Sequence, residues 1–145
     1  MKLPTSVGLI MGAAALCAAE TKLQLKDLPA AVRTTVVAQT KPAELRGVSK
    51  EIEKGKTYYE AETMINGRSR DLLIDAAGRL VEVEQEVELN SIPEAARTAL
   101  QKRAGTGRVS KVESVTKGST VTYEAVIEVN GKKSEAAVSA DGTRL

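Results

Sequence analysis

The sequence predicts an α+β fold of two tandem helix-plus-antiparallel-sheet repeats, with about seven strands and both helices on one face. The first observation behind this prediction is an internal repeat, and the second is a change of apolar period within each repeat, from near four to two. The repeated residues are Pro29, Tyr59, Asn66-Gly67 and Gly78, which recur as Pro93, Tyr123, Asn130-Gly131 and Gly142. A fixed period of this size is typical of a duplicated supersecondary unit. The predicted units are residues 25–88 and 89–145.

Residues 1–19 have the pattern of a secretory signal peptide, with an apolar run too short to span a bilayer and a small-residue end. We predict cleavage between Ala19 and Glu20. The alternative is a lipidated N-terminus at Cys17, which is disfavoured because Leu16 rather than a small residue precedes it. We therefore expect a periplasmic or secreted protein with no transmembrane segment in the mature chain.

The composition excludes several classes of function. The chain has no histidine, and its one cysteine lies in the predicted signal peptide. The mature protein would therefore lack residues required for disulfides, Cys/His zinc sites and Ser-His-Asp or Cys-His catalysis. The net charge of +2 is too small to indicate binding to nucleic acid. We expect no enzymatic activity and no cofactor.

Each repeat begins with a predicted helix. Asp27 and Ser91 are candidate N-cap residues two positions before a proline, and Ser91 with Glu94 would form a capping box. Apolar residues then recur every fourth position, so they share one helical face that can cover a sheet. These residues are Leu28, Val32 and Val36 in the first repeat, and Ile92, Ala96 and Leu100 in the second.

Two hairpins follow from the dipeptides Asn66-Gly67 and Asn130-Gly131, which favour a two-residue type I′ turn. The turns fix the register, since they place Tyr59 opposite Ile74 and Tyr123 opposite Val138. The apolar residues of both strands then share one face. We therefore expect Tyr59 and Tyr123 under the helices, and Tyr58 exposed on the other side.

The remaining strands distinguish the two repeats. Residues 47–53 and 108–116 read as a further strand in each repeat, with a bulge or irregularity in the second because its valines break strict alternation. Residues 80–87 form a strand that the second repeat lacks, because the chain stops three residues after Gly142. The second repeat should therefore expose an open edge, which could support self-association through the C-terminal edge strand. The favoured alternative is that the long strand of the first repeat closes this edge within a continuous sheet, or that Lys132, Lys133 and Glu135 protect it.

These motifs resemble the PepSY-like domain of secreted bacterial proteins, including those called β-lactamase-inhibitor-like. The resemblance lies in the Leu-Pro helix starts, residues 54–61, Asn66-Gly67 and Gly78-Arg79-Leu80, and it covers nearly all of the mature chain twice. It implies a helix packed on an antiparallel sheet, an extracytoplasmic location and a non-catalytic role. Inhibition of a secreted enzyme is the usual suggestion for such proteins.

A row of acidic residues alternates along the strand after Gly78 and, with acids of the preceding hairpin, could bind a hard cation such as calcium. The row consists of Glu82, Glu84, Glu86 and Glu88, with Glu60, Glu62 and Asp71 on the same side. A straight row lacks the clustered oxygens of a calcium loop, so a solvated strand face is favoured and no metal site is predicted. Arg68 and Arg70 are expected to pair with these acids.

We therefore predict an exported, non-catalytic module that binds another protein or an envelope component through the sheet face opposite the helices. Its partner-binding residues would be Tyr58, Glu60, Glu62, Thr122 and Glu124, which the duplication places in equivalent rows. No catalytic residue is predicted. The alternative is a periplasmic protein that binds a cation or a small ligand.

Overall fold

The computed structural model describes residues 20–145 and has an α+β fold with one eight-stranded antiparallel sheet and two helices. The strands are β1 (Thr21–Leu23), β2 (Glu44–Glu53), β3 (Lys56–Ile65), β4 (Arg68–Asp75), β5 (Leu80–Glu86), β6 (Arg108–Lys117), β7 (Thr120–Val129) and β8 (Lys132–Ser139). Helix α1 (Ala30–Gln39) lies between β1 and β2, and α2 (Glu94–Ala104) between β5 and β6. The strands follow chain order across the sheet. No helix among the described residues is long and apolar enough to cross a membrane.

The sheet is continuous, which corrects the prediction of two tandem helix-plus-sheet repeats. Strand β5 pairs with β6 from Val83 opposite Thr116 to Glu86 opposite Glu113, and this pairing joins the two halves of the chain. The prediction of about seven strands also missed β1, because three residues are too few to show a period. The predicted signal peptide lies outside the described residues, and the boundary between units 25–88 and 89–145 stays a prediction.

Both helices pack on the same face of the sheet, each over its own hydrophobic cluster. Val32 and Val36 of α1 are fully buried with Leu72 and Ile74 of β4. The second cluster has Ala96 and Leu100 of α2 against Ala125 and Ile127 of β7 and Ala136 and Val138 of β8. The apolar residues spaced by four in the sequence are thus the core face of each helix, as predicted.

The helix starts differ from the prediction. Each helix begins directly after its proline, and neither proline position has a side-chain cap. Asp27 and Ser91 instead end short 3₁₀ turns before the prolines, and the Ser91 hydroxyl donates to the Glu88 carbonyl at 2.7 Å. The capping box predicted for Ser91 is therefore wrong. A proline at the boundary already supplies a fixed φ and lacks the N–H that a cap would satisfy.

Both hairpin registers are confirmed. Tyr59 lies opposite Ile74 and Tyr123 opposite Val138, with Asn66 and Asn130 at positive φ in the turns. The irregularity predicted in the second half is also present, as a register shift between Val109 and Lys111. A matching shift between residues 45 and 47 was not predicted.

The tyrosines fit their predicted faces, although Tyr58 is less exposed than predicted. Tyr59 is 9% exposed in the first cluster, and Tyr123 is half-buried against the second. Tyr58 is half-buried too, because it stands between Glu51 of β2 and Asp75 of β4 on the uncovered side. The face of the sheet that the helices leave uncovered is therefore partly buried, which was not expected.

The C-terminal edge is partly covered by the end of the chain. The Leu145 backbone N–H donates to the Ala137 carbonyl at 3.1 Å, and Arg144 forms a bridge with Val138. Strand β8 therefore has neighbours on both sides at Ala137 and Val138. The exposed stretch of the edge begins at Lys132, so the predicted open edge is shorter than the sequence suggested.

Candidate functional site: an acidic sheet face

The candidate site is the face of the sheet opposite the helices, which we call the acidic face. Alternation along each strand assigns its residues, because directly opposed partners point to the same side. Its acidic members include Glu51, Glu60, Glu62, Asp71, Glu82, Glu84, Glu86, Glu113 and Glu124. They come from β2 through β7, so the surface crosses the junction between the two halves.

Two rows of directly opposed carboxylates run across neighbouring strands. In the first row, Glu62 lies opposite Asp71, which lies opposite Glu84 on β5. In the second, Glu86 lies opposite Glu113, which lies opposite Glu124 on β7. Like charges directly opposite one another destabilise a sheet, so these rows oppose folding stability.

The acidic face is half-buried although no helix covers it. Glu124 is 7% exposed, Ser49 4% and Val115 3%, and all three lie on this side of the sheet. Most of the acidic residues there are also half-buried. Neighbouring side chains on this face therefore shield one another from water, and charges within it are poorly solvated.

Burial and mutual repulsion hold several carboxyl pKa values well above their usual range. Burial, reinforced by the charge of Asp71, raises the pKa of Glu60 to about 7. Burial raises the pKa of Asp71 to about 6, although a hydrogen bond from the Thr63 backbone N–H opposes the rise. Burial, together with the charge of Glu82 and a hydrogen bond to it, raises the pKa of Glu84 to about 8.

Glu124 is the most buried charged group on the acidic face. Burial, followed by the charges of Glu82 and Glu113, raises its pKa to about 7. Among residues 20–145 no ion pair or hydrogen bond reaches its carboxylate. A mostly enclosed carboxylate without a partner is poorly solvated, so the ionised form of Glu124 lowers the stability of the isolated chain.

Two lysines on the same face already form ion pairs with its carboxylates. Lys117 Nζ lies 2.9 Å from Glu82 Oε2, and Lys111 Nζ lies 2.6 Å from Glu113 Oε1. Burial lowers the pKa of Lys117, but the hydrogen bond and charge of Glu82 outweigh it, so the net pKa is raised. These lysines balance only part of the charge of the acidic face, and only Lys111 pairs with a member of the two rows.

Three carboxylates near β1 converge closely enough to hold a metal ion. Oxygen atoms of Glu20, Glu60 and Glu62 all lie within 4.8 Å of one another. The sequence argument against a cation site included Glu60 and Glu62 beside the straight row of β5, but it did not include Glu20. It did not foresee that the short strand β1 brings Glu20 beside β3.

The five residues predicted to bind a partner all lie on the acidic face, since Tyr58, Glu60 and Glu62 alternate on β3 and Thr122 and Glu124 on β7. Their binding role stays a prediction. The sequence missed Glu113 and the two lysines of β6, because α2 separates β5 from β6 along the chain and no turn sets their pairing. Alternation within β6 was the available signal, and the bulge obscured it.

Both arginines of β4 were predicted to pair with acids, and only one of them does. Arg68 pairs with Glu88, as predicted, although Glu88 is exposed beyond the end of β5. Arg70 does not pair with an acid. It lies on the helix side of the sheet and donates to the Gln39 carbonyl and side-chain oxygens at 3.3 and 3.2 Å.

The fold is shared with solved proteins of Bacteroides species. A candidate periplasmic protein of Bacteroides eggerthii aligns with a TM-score of 0.67 at 18% identity, covering 81% of this chain and 86% of its own. A DUF2874 family protein of Bacteroides ovatus gives 0.64 at 19% identity, covering 81% and 84%. A BLIP-like protein of Bacteroides fragilis gives 0.61 at 23% identity, covering 81% and 83%.

These likenesses establish the fold alone, since the identities are low. No model of a known protein family matches the chain. No curated protein matches it either. The PepSY-like resemblance therefore stays a prediction from the motifs.

Proposed function

We propose that this protein is an exported, non-catalytic module of PepSY-like, β-lactamase-inhibitor-like type that binds another protein through its acidic face. The observation that carries the proposal is Glu124, which is only 7% exposed and whose carboxylate has no ion-pair or hydrogen-bond partner among the described residues. A surface that is costly for the isolated chain is typical of a binding site, because a partner can relieve the cost. The likeness to a BLIP-like protein supports the same reading.

The proposed location is the periplasm or the cell exterior. The signal-peptide pattern of residues 1–19 supports it, and so does the likeness to a candidate periplasmic protein. The absence of histidine supports a non-catalytic role, because it removes the commonest general base. An envelope enzyme is the proposed class of partner, in line with the resemblance.

Site-specific photo-cross-linking tests the face. A photoreactive phenylalanine analogue replaces Tyr58 on the acidic face, and in a control variant it replaces Val37, which is 41% exposed on α1. After irradiation in an envelope extract, the Tyr58 position should yield a discrete protein adduct that the Val37 position does not. Identical adducts from both positions, or none from Tyr58, would contradict the proposal.

Cation binding is a second candidate function, favoured by the convergence of Glu20, Glu60 and Glu62. Carboxylate oxygens at such spacing are the ligands that calcium prefers. Calorimetric titration of the mature protein with calcium chloride should then show one site that the Glu60→Gln/Glu62→Gln variant loses. The same heat from both proteins would exclude this site.

A further inference from the structure

We propose that the partner of the acidic face presents a cationic segment, with one arginine or lysine side chain seated between Glu84 and Glu124. This inference rests on the proposed function, because it names the chemistry of the partner at the same face. Three observations support it: the arrangement of the two carboxylate rows, the lack of a partner for the Glu124 carboxylate, and the ion pairs that the chain's own lysines form on this face.

The first step is the imbalance of charge. The rows Glu62–Asp71–Glu84 and Glu86–Glu113–Glu124 run across adjacent strands, which are about 4.8 Å apart in a sheet. Of these six residues, only Glu113 has an ion pair among the described residues. Cationic groups from outside would therefore remove a repulsion that the chain leaves in place.

The second step concerns Glu124. It is 7% exposed, yet the described residues contain no buried side-chain oxygen or nitrogen atom without a hydrogen-bond partner. The carboxylate of Glu124 therefore still touches solvent at its tip, while the rest of the side chain is enclosed. A donor arriving from the solvent side can reach this carboxylate without any change in the sheet.

The third step is that the face already accepts amino groups. The Lys117 Nζ atom lies 2.9 Å from Glu82, which neighbours Glu84 on the same face of β5. The Lys111 Nζ atom lies 2.6 Å from Glu113, which stands directly opposite Glu124. An ammonium or guanidinium group of a partner would pair in the same manner with Glu84 and Glu124, neither of which has an ion pair among the described residues. Arginine suits the position better, since its planar fork can donate to two carboxylates at once.

The fourth step separates a segment from a single metal ion. Among the described residues only Glu20, Glu60 and Glu62 bring three carboxylates within 4.8 Å, and neither Glu84 nor Glu124 belongs to that group. A metal ion needs ligands that converge on one point. Carboxylates spread over several strands instead match several cations spaced along one chain.

Fluorescence anisotropy with a synthetic probe tests this chemistry without a natural partner. The probe is a short labelled peptide of alternating arginine and serine, and its control replaces every arginine with citrulline, which keeps the shape but has no charge. Measurements are made at physiological ionic strength, because low salt exaggerates general attraction between charges. We expect saturable binding of the arginine peptide only.

Matched double variants locate the site. Glu84→Gln/Glu124→Gln removes two ionisable carboxyl groups from the acidic face, and Asp27→Asn/Glu94→Gln removes two from exposed positions beside the helices. The first should weaken binding about tenfold, as expected for the loss of charge-assisted hydrogen bonds, and the second should change it little. Thr122→Lys, which adds an ammonium beside Glu124 without removing a carboxylate, should also weaken binding.

Three results would overturn the inference. Equal loss in both double variants would mean general attraction to an acidic protein, and equal binding of the citrulline peptide would mean that charge is not recognised. Displacement of the arginine peptide by calcium at equimolar amounts would assign the face to an ion. None of these would exclude a partner trapped at Tyr58, so a failure here is distinguishable from a failure of the proposed function.

Discussion

Neighbouring residues on one strand show that the two faces of the sheet differ in polarity. Tyr59 and Tyr58 are neighbours on β3, but Tyr59 packs under α1 while Tyr58 stands among acids on the uncovered face. The same alternation places Ala125 in the second cluster and Glu124 on the acidic face. Hydrophobic burial therefore fixes one face, and the other is left to charged groups whose burial opposes folding.

Truncation of the two tyrosines should have unequal effects. Tyr59→Ala removes a buried ring from the first hydrophobic cluster and should lower the free energy of unfolding by about 3 kcal/mol. Tyr58→Ala removes a half-buried ring and should cost clearly less. Urea denaturation of both variants measures this, and equal shifts of the midpoint would contradict the assigned faces.

Because of the acidic face, the protein should be more stable at mildly acidic pH than at neutral pH. Glu124 has a pKa of about 7 when folded against 4.5 for an ordinary glutamate, so between these values the folded chain binds more protons than the unfolded chain. Stability therefore falls as the pH rises from about 4.5 to 7, and Glu60 behaves in the same way.

Urea midpoints measured at mildly acidic and mildly alkaline pH test this dependence. Glu124→Gln, which cannot ionise, should reduce the difference between them, and exposed Glu94→Gln serves as the control. At much lower pH, Asp141 has the opposite effect on stability. The Ser139 hydroxyl and the Thr143 backbone hold its pKa at about 2 in the folded protein, so stability is lost as the pH falls toward that value. A flat profile in the wild type would contradict the raised pKa values.

Among the elements, the turns that end β4 and β8 contact the helices directly. Gly78 and Gly142 have φ values of 84° and 85°, and an added Cβ would lie 2.7 Å from the carbonyl oxygens of Ala31 and Ala95. The Thr35 hydroxyl also donates to the Gly78 carbonyl at 2.5 Å. Each helix is thus held against its turn by backbone contact that only glycine permits.

Alanine substitution can separate this contact from backbone strain. Gly67 has a φ of 79° with open space around it, so Gly67→Ala should cost only about 1 kcal/mol for its left-handed conformation. Gly78→Ala adds a steric clash and should cost about 2 kcal/mol more. The comparison is made by thermal or urea unfolding. Equal costs would show that the turn does not press on α1.

The strand at the C-terminal edge allows a test of self-association. Removal of Arg144 and Leu145 deletes their contacts with Val138 and Ala137 and lengthens the free edge of β8. Free strand edges pair with other chains, so the shortened protein should form more dimer in sedimentation experiments than the full chain. Appending a copy of residues 80–87 should have the opposite effect. A monomer in every case would exclude association through this edge.

The whole molecule separates its charges by face. Its net charge is +2, yet acids dominate one side of the sheet, so the overall charge conceals a strongly acidic surface. The continuity of the sheet from β2 to β7 makes this surface one area rather than two small ones. A broad surface of this kind suits a protein partner better than a small molecule.

Processing of the chain is predicted at the same scale. Cleavage after Ala19 should leave a mature protein that begins at an unmodified Glu20. Intact mass spectrometry of the exported protein measures this directly. A mass that corresponds to a lipid adduct on a chain beginning at Cys17 would contradict it.

The sequence by itself determined the helices, the hairpins and the two sides of each hairpin. Apolar spacing and Asn-Gly turns are local signals, so the register of Tyr59 with Ile74 could be predicted within one stretch of chain. Asp27 and Ser91 were misplaced as caps because a helix boundary depends on small energies that a nearby proline can outweigh.

Only the tertiary structure decided how the halves join. The pairing of Glu84 with Val115 and of Glu86 with Glu113 spans a whole helix and two loops, so no turn sets its register. That pairing places Glu86 opposite Glu113, which β7 in turn places opposite Glu124, and so completes the second carboxylate row beside the first. Burial in this face raises the pKa of Glu124. The continuity of the acidic face across the two halves is therefore a product of long-range pairing, which alternation within one strand cannot reveal.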